Sequence, residues 1–335
     1  MATLRDVAEL ASVSVATASR VLNGSASNHP VSEAVQQAVR AAAATLGYTA
    51  SATARALQQK RSRIIGVIAS DILDPYFAEM TRGIEVEATS RGYVTVLANA
   101  NRDPLQELAR FRALREHQAS GIVFCGSDIE GSPGTGQLAK EVNAAVQQGT
   151  SVVALAPRGF AATSIVVDNA AAAAELTSYL LGLGHRDIAF IGGIPGLTAS
   201  EQRLIGYRKT MFDAGLAPRV ADPTGMSQAA GSQSIEALIA SDRMPDAVIC
   251  SNDEVAIGAL AGLWRAGLRA PDDVSVAGIG GTAGGEVFDL TTMTLPLVEL
   301  GTLAARFIAA PEPVAAPAAA PPVSLRIGTT TAPRH

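Results

Sequence analysis

Disulfides, membrane spans and catalytic constellations are all missing from this sequence of 335 residues. It has two cysteines, Cys125 and Cys250, each at the end of an apolar run. Two are too few for a disulfide framework, so a reducing compartment is expected. No stretch approaches the roughly 20 consecutive apolar residues that a membrane-spanning helix needs. The opening Met1-Ala2-Thr3-Leu4-Arg5-Asp6 lacks the apolar centre of a secretory signal, which points to a cytoplasmic location. The four histidines, at 29, 117, 185 and 335, show no metal-ligand spacing. Gly126 and Gly131 have the spacing of a phosphate-binding loop, but Ser132-Pro133 stand where its lysine and hydroxyl residue belong. No G-x-S-x-G nucleophile elbow occurs. The chain is therefore not read as an enzyme, and no metal or cofactor is expected.

What is present is a chain able to build a large core, 48% apolar and 17% charged, long enough for two or three domains. Its charge is unevenly placed. Residues 1–63 hold seven basic side chains and three acidic ones, a balance of +4, while the remainder carries −9 of the net −5. A small basic head on an acidic body is the asymmetry expected if only the head meets phosphates.

Within the head, Thr3 precedes Leu4, Val7, Ala8 and Ala11, which have helical spacing. Asp6 completes a capping-box variant. Ser12-Val13-Ser14 breaks this helix, and Ser14 can cap a second helix reaching about Leu22, with Ala18, Val21 and Leu22 on its apolar face. Ser32 is placed to cap a third helix, about 33–46, with Val35, Ala38, Val39, Ala42 and Leu46 on one side and Gly47 as its terminal glycine. Two short helices across a tight turn read as helix-turn-helix, although a three-helix protein-binding module has the same outline. On the DNA reading, Val15, Ala16 and Arg20 face outward near the start of the second helix, where base edges are reached. Arg20 can donate twice to guanine, and Val15 and Ala16 can meet thymine methyls. Ser14, Thr17, Ser19 and Asn23, with Thr3, suit phosphate contacts.

Thr3-Leu4-Arg5-Asp6-Val7-Ala8, Val13-Ser14, Thr17-Ala18-Ser19-Arg20-Val21-Leu22-Asn23-Gly24, Val31-Ser32 and Leu46-Gly47-Tyr48 together resemble the signature of the lactose/galactose-repressor (LacI/GalR) family of transcriptional regulators. Ala54-Arg55-Ala56-Leu57 is similar to that family's hinge helix, and the likeness continues along essentially the whole chain. The resemblance implies that Leu57 is an apolar wedge opening a minor-groove step, with Ala54 beside it. An ordinary linker-helix core residue is the alternative. The implied domains are a DNA-binding head at 1–49, a hinge at 50–62 and an effector-binding and dimerisation body at 63–335. In that body one lobe holds about 63–160 and 282–296, and the other about 161–281 and 297–335.

From Ile64 onward, uninterrupted apolar strands alternate with helices, which means parallel sheets covered on both faces. Strands are expected at 64–68, 94–98, 121–125, 152–155, 165–167, 188–192, 247–250, 274–277 and 323–327, enough for two doubly wound lobes of the periplasmic-binding-protein type facing across a cleft. The 309–322 stretch is Ala/Pro-rich and reads as an extended surface loop. Ligands bind such sheets at the carboxyl ends of the strands. There the chain places Tyr76-Phe77, Asp168-Asn169, Arg203 and Asn252-Asp253. Aromatic rings, with Trp264 among them, beside carboxylate, amide and guanidinium suit a polyol. Asp168 and Asp253 equally suit helix caps.

The family likeness implies effector contacts from Arg203, in Arg203-Leu204-Ile205-Gly206-Tyr207, from Asn252 and Asp253, and from Tyr76 and Phe77. Met226 falls where an aromatic is usual. Two departures stand out. Gly280, in Gly278-Ile279-Gly280-Gly281, and Pro157, in Pro157-Arg158, occupy positions where the family pattern carries carboxylates. The function expected is thus a sequence-specific DNA-binding regulator, a repressor and a homodimer on operator DNA. It is controlled by a small-molecule effector, a sugar or sugar derivative. A solute-binding protein with the same two-lobed body is the alternative.

Overall fold

The structure is a computed structural model and describes residues 2–22, 31–48, 62–222, 224–241, 243–310 and 320–334. Its contacts divide into two compact units, Met1–Arg63 and Ile64–His335.

The first unit contains α1 (Leu4–Leu10), α2 (Val15–Leu22) and α3 (Glu33–Thr45). Thr3 and Asp6 form the reciprocal capping box that their spacing predicts. Ser14 Oγ accepts from the Thr17 backbone N–H at 3.1 Å, capping α2 as expected. The turn between the helices is tight because Ser12 takes a positive φ of 53°. Gly47 ends α3 with a φ of 59°. The Tyr48 N–H there reaches the Ala43 carbonyl and the Gly47 N–H that of Ala44, a Schellman closure. Ser32 precedes α3 but makes no side-chain capping bond, contrary to expectation. The core is built from small residues: Val7, Ala8, Ala18, Val21, Val39, Ala42 and Ala43. Ala43 is buried where Ala38 was expected, since Ala38 lies on the exposed face of α3.

The second unit contains two sheets. Strands β1 (Ile64–Ala69), β2 (Val94–Asn99), β3 (Gly121–Phe124), β4 (Ser151–Ala154) and β5 (Thr163–Ser164) lie in the order β2-β1-β3-β4-β5, all parallel. Their helices are α4 (Pro75–Ser90), α5 (Pro104–Glu116) and α6 (Thr135–Gln147). The other sheet holds β6 (Ile188–Ile191), β7 (Arg219–Val220), β8 (Ala247–Cys250), β9 (Ser275–Gly280), β10 (Thr291–Thr294) and β11 (Ser324–Arg326). Its order is β11-β10-β9-β8-β6-β7, and only β11 runs antiparallel. Helices α7 (Asn169–Gly182), α8 (Thr198–Asp213), α9 (Gln228–Ala240), α10 (Asp253–Arg265) and α11 (Ala283–Val287) accompany it, and α12 (Leu297–Ile308) follows β10 in the chain. Strands with both faces covered are apolar along their whole length, as in the fully buried Ile-Ala-Phe-Ile of β6.

The path between lobes differs from the one expected. Residues 282–296 carry β10, which pairs with β9 in the second sheet rather than joining the first lobe. Helix α12, expected in the second lobe, packs on α4 of the first. Gly83 of α4 faces the Val298 carbonyl and Gly301 of α12 faces the Met80 carbonyl, so closely that a Cβ at either glycine would collide with backbone. The segment 165–167, read as a strand, lies outside β5, a two-residue edge strand just before it. Thr135 and Gly136 open α6. One apolar cluster runs from Ile65 and Val123 through Met80, Ile84, Leu300 and Ala304 to Leu176, Ile188 and Ile249, so the lobes share a continuous core.

Candidate functional site

Two places in the molecule are built to meet something else. The first is the start of α2. Val15 and Ala16 are exposed there, and Thr17, Ser19 and Arg20 are half-buried along the same helix. Arg20 lies back on its own turn, its Nε donating to the Ala16 carbonyl at a long 3.3 Å, a bond weak enough to exchange for an external acceptor. Ser14 and Thr17 hydroxyls sit 2.9 Å apart at the helix N-terminus, where the backbone dipole favours an anion. Thr3 is exposed and committed to its cap with Asp6, whose carboxyl is held below the ordinary range mainly by the Thr3 backbone N–H. Asn23, Ala54 and Leu57 lie outside the described residues.

The second place is a cleft between the two lobes, lined by Ser70, Asp74, Tyr76, Phe77, Arg102, Cys125, Ser127, Leu197, Arg203, Met226 and Asn252 among others. The carboxyl ends of the strands create it, and helix starts furnish its walls. Asp74 caps α4 by accepting from the Tyr76 N–H at 3.0 Å, which sets Tyr76 and Phe77 in the first turn. Their rings meet edge to face at 5.2 Å, and the Arg102 guanidinium covers Phe77 at 5.5 Å. Arg102 pairs with Asp74 at 2.9 Å. Burial pushes the Asp74 carboxyl up from the ordinary range, and Arg102 pulls the other way. Cys125, on the cleft wall, is fully buried, and that burial pushes its thiol up to about 12, so it is inert at neutral pH.

Arg203 is the charged group on the opposite wall. It lies in the second turn of α8 and is only 3% exposed. Its Nε donates to Asn169 Oδ1 at 2.9 Å and its Nη1 to the Ser251 carbonyl at 2.6 Å. The Tyr76 hydroxyl lies beside it and couples to it electrostatically. Gly206, one turn on, allows α8 to press against the Ala170 carbonyl of α7. Tyr207 anchors the helix, donating to the Ile188 carbonyl at 2.7 Å and accepting from the Arg219 N–H at 2.8 Å. Asn252 caps α10 through Oδ1 and donates to the Met226 carbonyl at 2.9 Å, which ties Met226 to the cleft wall. Ser251 Oγ reaches the Met226 sulfur at 3.2 Å.

Thus Tyr76, Phe77, Arg203, Met226 and Asn252 converge. The structure places Asp168, Asp253 and Gly280 elsewhere. Asp168 is exposed and caps α7 by accepting from Ala171 N–H. The following Asn169, the other half of that strand-end pair, is the residue that holds Arg203. Asp253, 1% exposed, accepts from Thr292 Oγ1 at 2.6 Å, Thr282 N–H at 2.8 Å and Thr282 Oγ1 at 3.1 Å, turned into the second sheet. Gly280 faces that carboxylate: a Cβ there would lie 3.1 Å from it. Trp264, far along α10, is 71% exposed and lines no part of the cleft. Arg158, after Pro157, is buried and engaged by Glu107 at 2.5 Å and Asp128 at 3.1 Å, between the rings of Phe124 and Phe160.

The cleft is closed on one side by a backbone latch that sequence reasoning missed. Ile129 and Leu197 form an antiparallel bridge between the lobes. The Glu130 N–H donates to the Gly196 carbonyl at 2.7 Å and the Thr198 N–H to the Asp128 carbonyl at 3.0 Å.

Comparison with known proteins shows the family of the chain. Residues 3–51 match the family described as "Bacterial regulatory proteins, lacI family", and residues 62–310 match "Periplasmic binding proteins and sugar binding domain of LacI family". The chain belongs to the LacI family. It is a DNA-binding transcriptional regulator with a sugar-binding type of effector domain, not an enzyme. The head match removes the alternative of a free-standing solute-binding protein. Catabolite control protein A of Staphylococcus epidermidis is 30% identical over 315 residues, covering 91% of each chain. A crystal structure described as the lac repressor dimer bound to operator and the anti-inducer ONPF superposes with a TM-score of 0.81 at 25% identity, over 99% of each chain. The transcriptional regulator CelR–cellobiose complex superposes at 0.65 with 26% identity, covering 98% of this chain and all of that one. Among the described residues of this LacI-family regulator, no helix is long and apolar enough to cross a membrane.

Proposed function

We propose that this regulator is a cytoplasmic repressor that binds operator DNA as a homodimer and changes its hold when a sugar-class effector occupies the interlobe cleft. The observation that carries the reading is the pairing of two features in one chain. One is a helix-turn-helix whose second helix exposes Val15 and Ala16, with Arg20 half-buried one turn on. The other is a cleft in which Tyr76, Phe77, Arg203, Met226 and Asn252 converge. Arg20 reads a guanine, and Val15 and Ala16 meet methyl groups. Thr3, Ser14, Thr17, Ser19 and Asn23 contact phosphate, and Ala54 and Leu57 enter the minor groove. A dimer requires two half-sites related by a two-fold axis.

The state of the cleft is coupled to DNA binding only as far as the effector binds one lobe arrangement better than the other. The latch between 128–130 and 196–198 defines the closed arrangement, and its rupture defines the open one.

Selection of genomic fragments by the full-length protein tests the reading. A pseudo-palindromic site should be enriched, and Arg20→Ala should lose its sequence preference while keeping salt-sensitive general affinity. Enrichment of no common sequence, or an unchanged site with Arg20→Ala, would remove this assignment of the head.

A further inference from the structure

Most charges near the cleft are matched locally. Arg102 has Asp74 at 2.9 Å and Asp71 at 3.6 Å. Arg158 has Glu107 and Asp128. Glu254 accepts from Gln228 at 2.9 Å, and Asp253 is filled by three donors from Thr282 and Thr292. Arg203 differs. Among the described residues it makes no ion pair, and the groups around it, Asn169 Oδ1, the Ser251 carbonyl and the Tyr76 hydroxyl, are neutral. It is nonetheless buried and lines the cleft. A buried guanidinium without a carboxylate is half of an ion pair.

The rest of the lining leans the same way. Asp74 is the one acidic residue among the described residues of the cleft wall, and Arg102 already claims it. A neutral sugar must donate from its hydroxyls as well as accept, and the one carboxylate on this wall is already engaged by Arg102 and the Tyr76 N–H. Pro157 and Gly280 add none, and the Asp253 carboxylate fills the space in front of Gly280.

We infer that the cleft takes a monoanionic polyol, a sugar acid whose carboxylate pairs with Arg203, in preference to a neutral sugar. This rests on the cleft being the effector site. A carboxylate matches the planar guanidinium fork and cancels a single positive charge. A phosphate dianion would leave a second negative charge buried opposite Asp74. The paired rings of Tyr76 and Phe77 supply the apolar surface for one sugar face.

Calorimetric titration of the full-length protein tests this, with hexuronates of gluco, galacto and manno configuration, their carboxamides, the parent hexoses and the hexose 6-phosphates. One uronate should bind at least about tenfold more tightly than its own carboxamide and its parent hexose, a difference of about 1.4 kcal/mol. Arg203→Gln should erase that preference, and Arg203→Lys should keep part of it, with circular dichroism showing both variants folded. Equal binding of acid and carboxamide, tightest binding of a phosphate, or binding of no acid at millimolar concentration would each overturn the inference. Failure of the wider reading looks different. A neutral hexose whose binding is lost in Tyr76→Ala keeps the effector cleft and removes only the sugar-acid preference. An acid whose binding survives both Arg203→Gln and Tyr76→Ala removes the cleft itself.

Discussion

Arg203 Nε donates to Oδ1 of Asn169 at 2.9 Å, and this bond ties the second turn of α8 to the first residue of α7. The bond aims a buried cation at the cleft without neutralising it. Asn169→Asp would place a carboxylate where the amide oxygen now sits and complete the pair inside the protein. The expected result is a protein at least as stable as wild type whose affinity for an acidic ligand falls about tenfold or more. Calorimetry on the variant checks it, and unchanged affinity would show that the charge of Arg203 is not what the ligand reads.

Gly278 and Gly280 leave room for the Asp253 carboxylate. A Cβ at Gly278 would lie 2.5 Å from Asp253 Oδ1, whereas one at Gly280 would lie 3.1 Å from the same carboxyl group. Gly278→Ala should therefore cost about 1–3 kcal/mol, the range for overpacking, and Gly280→Ala less. Urea unfolding of both variants measures this. A larger loss at Gly280 would mean that Asp253 is not the group that excludes side chains from β9.

The latch depends on Gly196. Its φ is +76°, and a Cβ there would approach the Glu130 carbonyl to 2.9 Å. Gly196→Ala should weaken the interlobe bridge by about 1 kcal/mol or more and shift the lobes toward the open arrangement. Small-angle scattering should report a larger radius of gyration for the variant. Identical scattering curves would show that the bridge does not hold the cleft closed.

His185 gives a pH dependence with a definite sign. Its ring is buried, Nε2 lies 3.0 Å from the Ala332 carbonyl, and Nδ1 has no hydrogen-bond partner among the described residues. Burial lowers its pKa from the ordinary 6.5. The folded state therefore binds the proton less well than the unfolded chain. The stability that neutral His185 contributes is present above pH 6.5 and is lost as pH falls below it toward the folded value. Thermal unfolding at pH 7.5 and at pH 5.5, each about a unit from the ordinary histidine value, should show a lower Tm at the acidic pH, with a smaller difference in His185→Gln. An equal difference in the variant would assign the effect to other groups.

Much of this architecture was legible in the sequence because local signals and tertiary packing agree. The Thr3–Asp6 box, the Ser14 cap and the Gly47 closure are short-range devices, and each forms where its residues stand. Unbroken apolar strands such as Ile188–Ile191 announce sheets buried on both faces. The interlobe path was not legible, because α12 and β10 differ from their neighbours in partner and not in pattern. Only the close approach of Gly83 and Gly301 settles where α12 belongs.

In the cleft, Tyr76, Phe77, Arg203 and Asn252 were readable from their places at strand ends, and Met226 from the family likeness. Asp253 was not, because a carboxylate at the start of a helix can face the cleft, the cap or the core. Here Thr282 and Thr292, distant in sequence, supply the donors that draw it inward. Of the strand-end pair Asp168-Asn169, the charged member spends itself on a cap and the amide is the one that meets Arg203.

The central claim is that a ligand at Arg203 governs DNA binding by the head. Fluorescence anisotropy of the selected DNA fragment, bound to the full-length protein and titrated with the tightest uronate, tests it most directly. The account predicts a change in DNA affinity of about fivefold or more in wild type, the lower end of ordinary allosteric coupling, and none in Arg203→Gln. DNA affinity that ignores the ligand in wild type, or responds equally in Arg203→Gln, would contradict it.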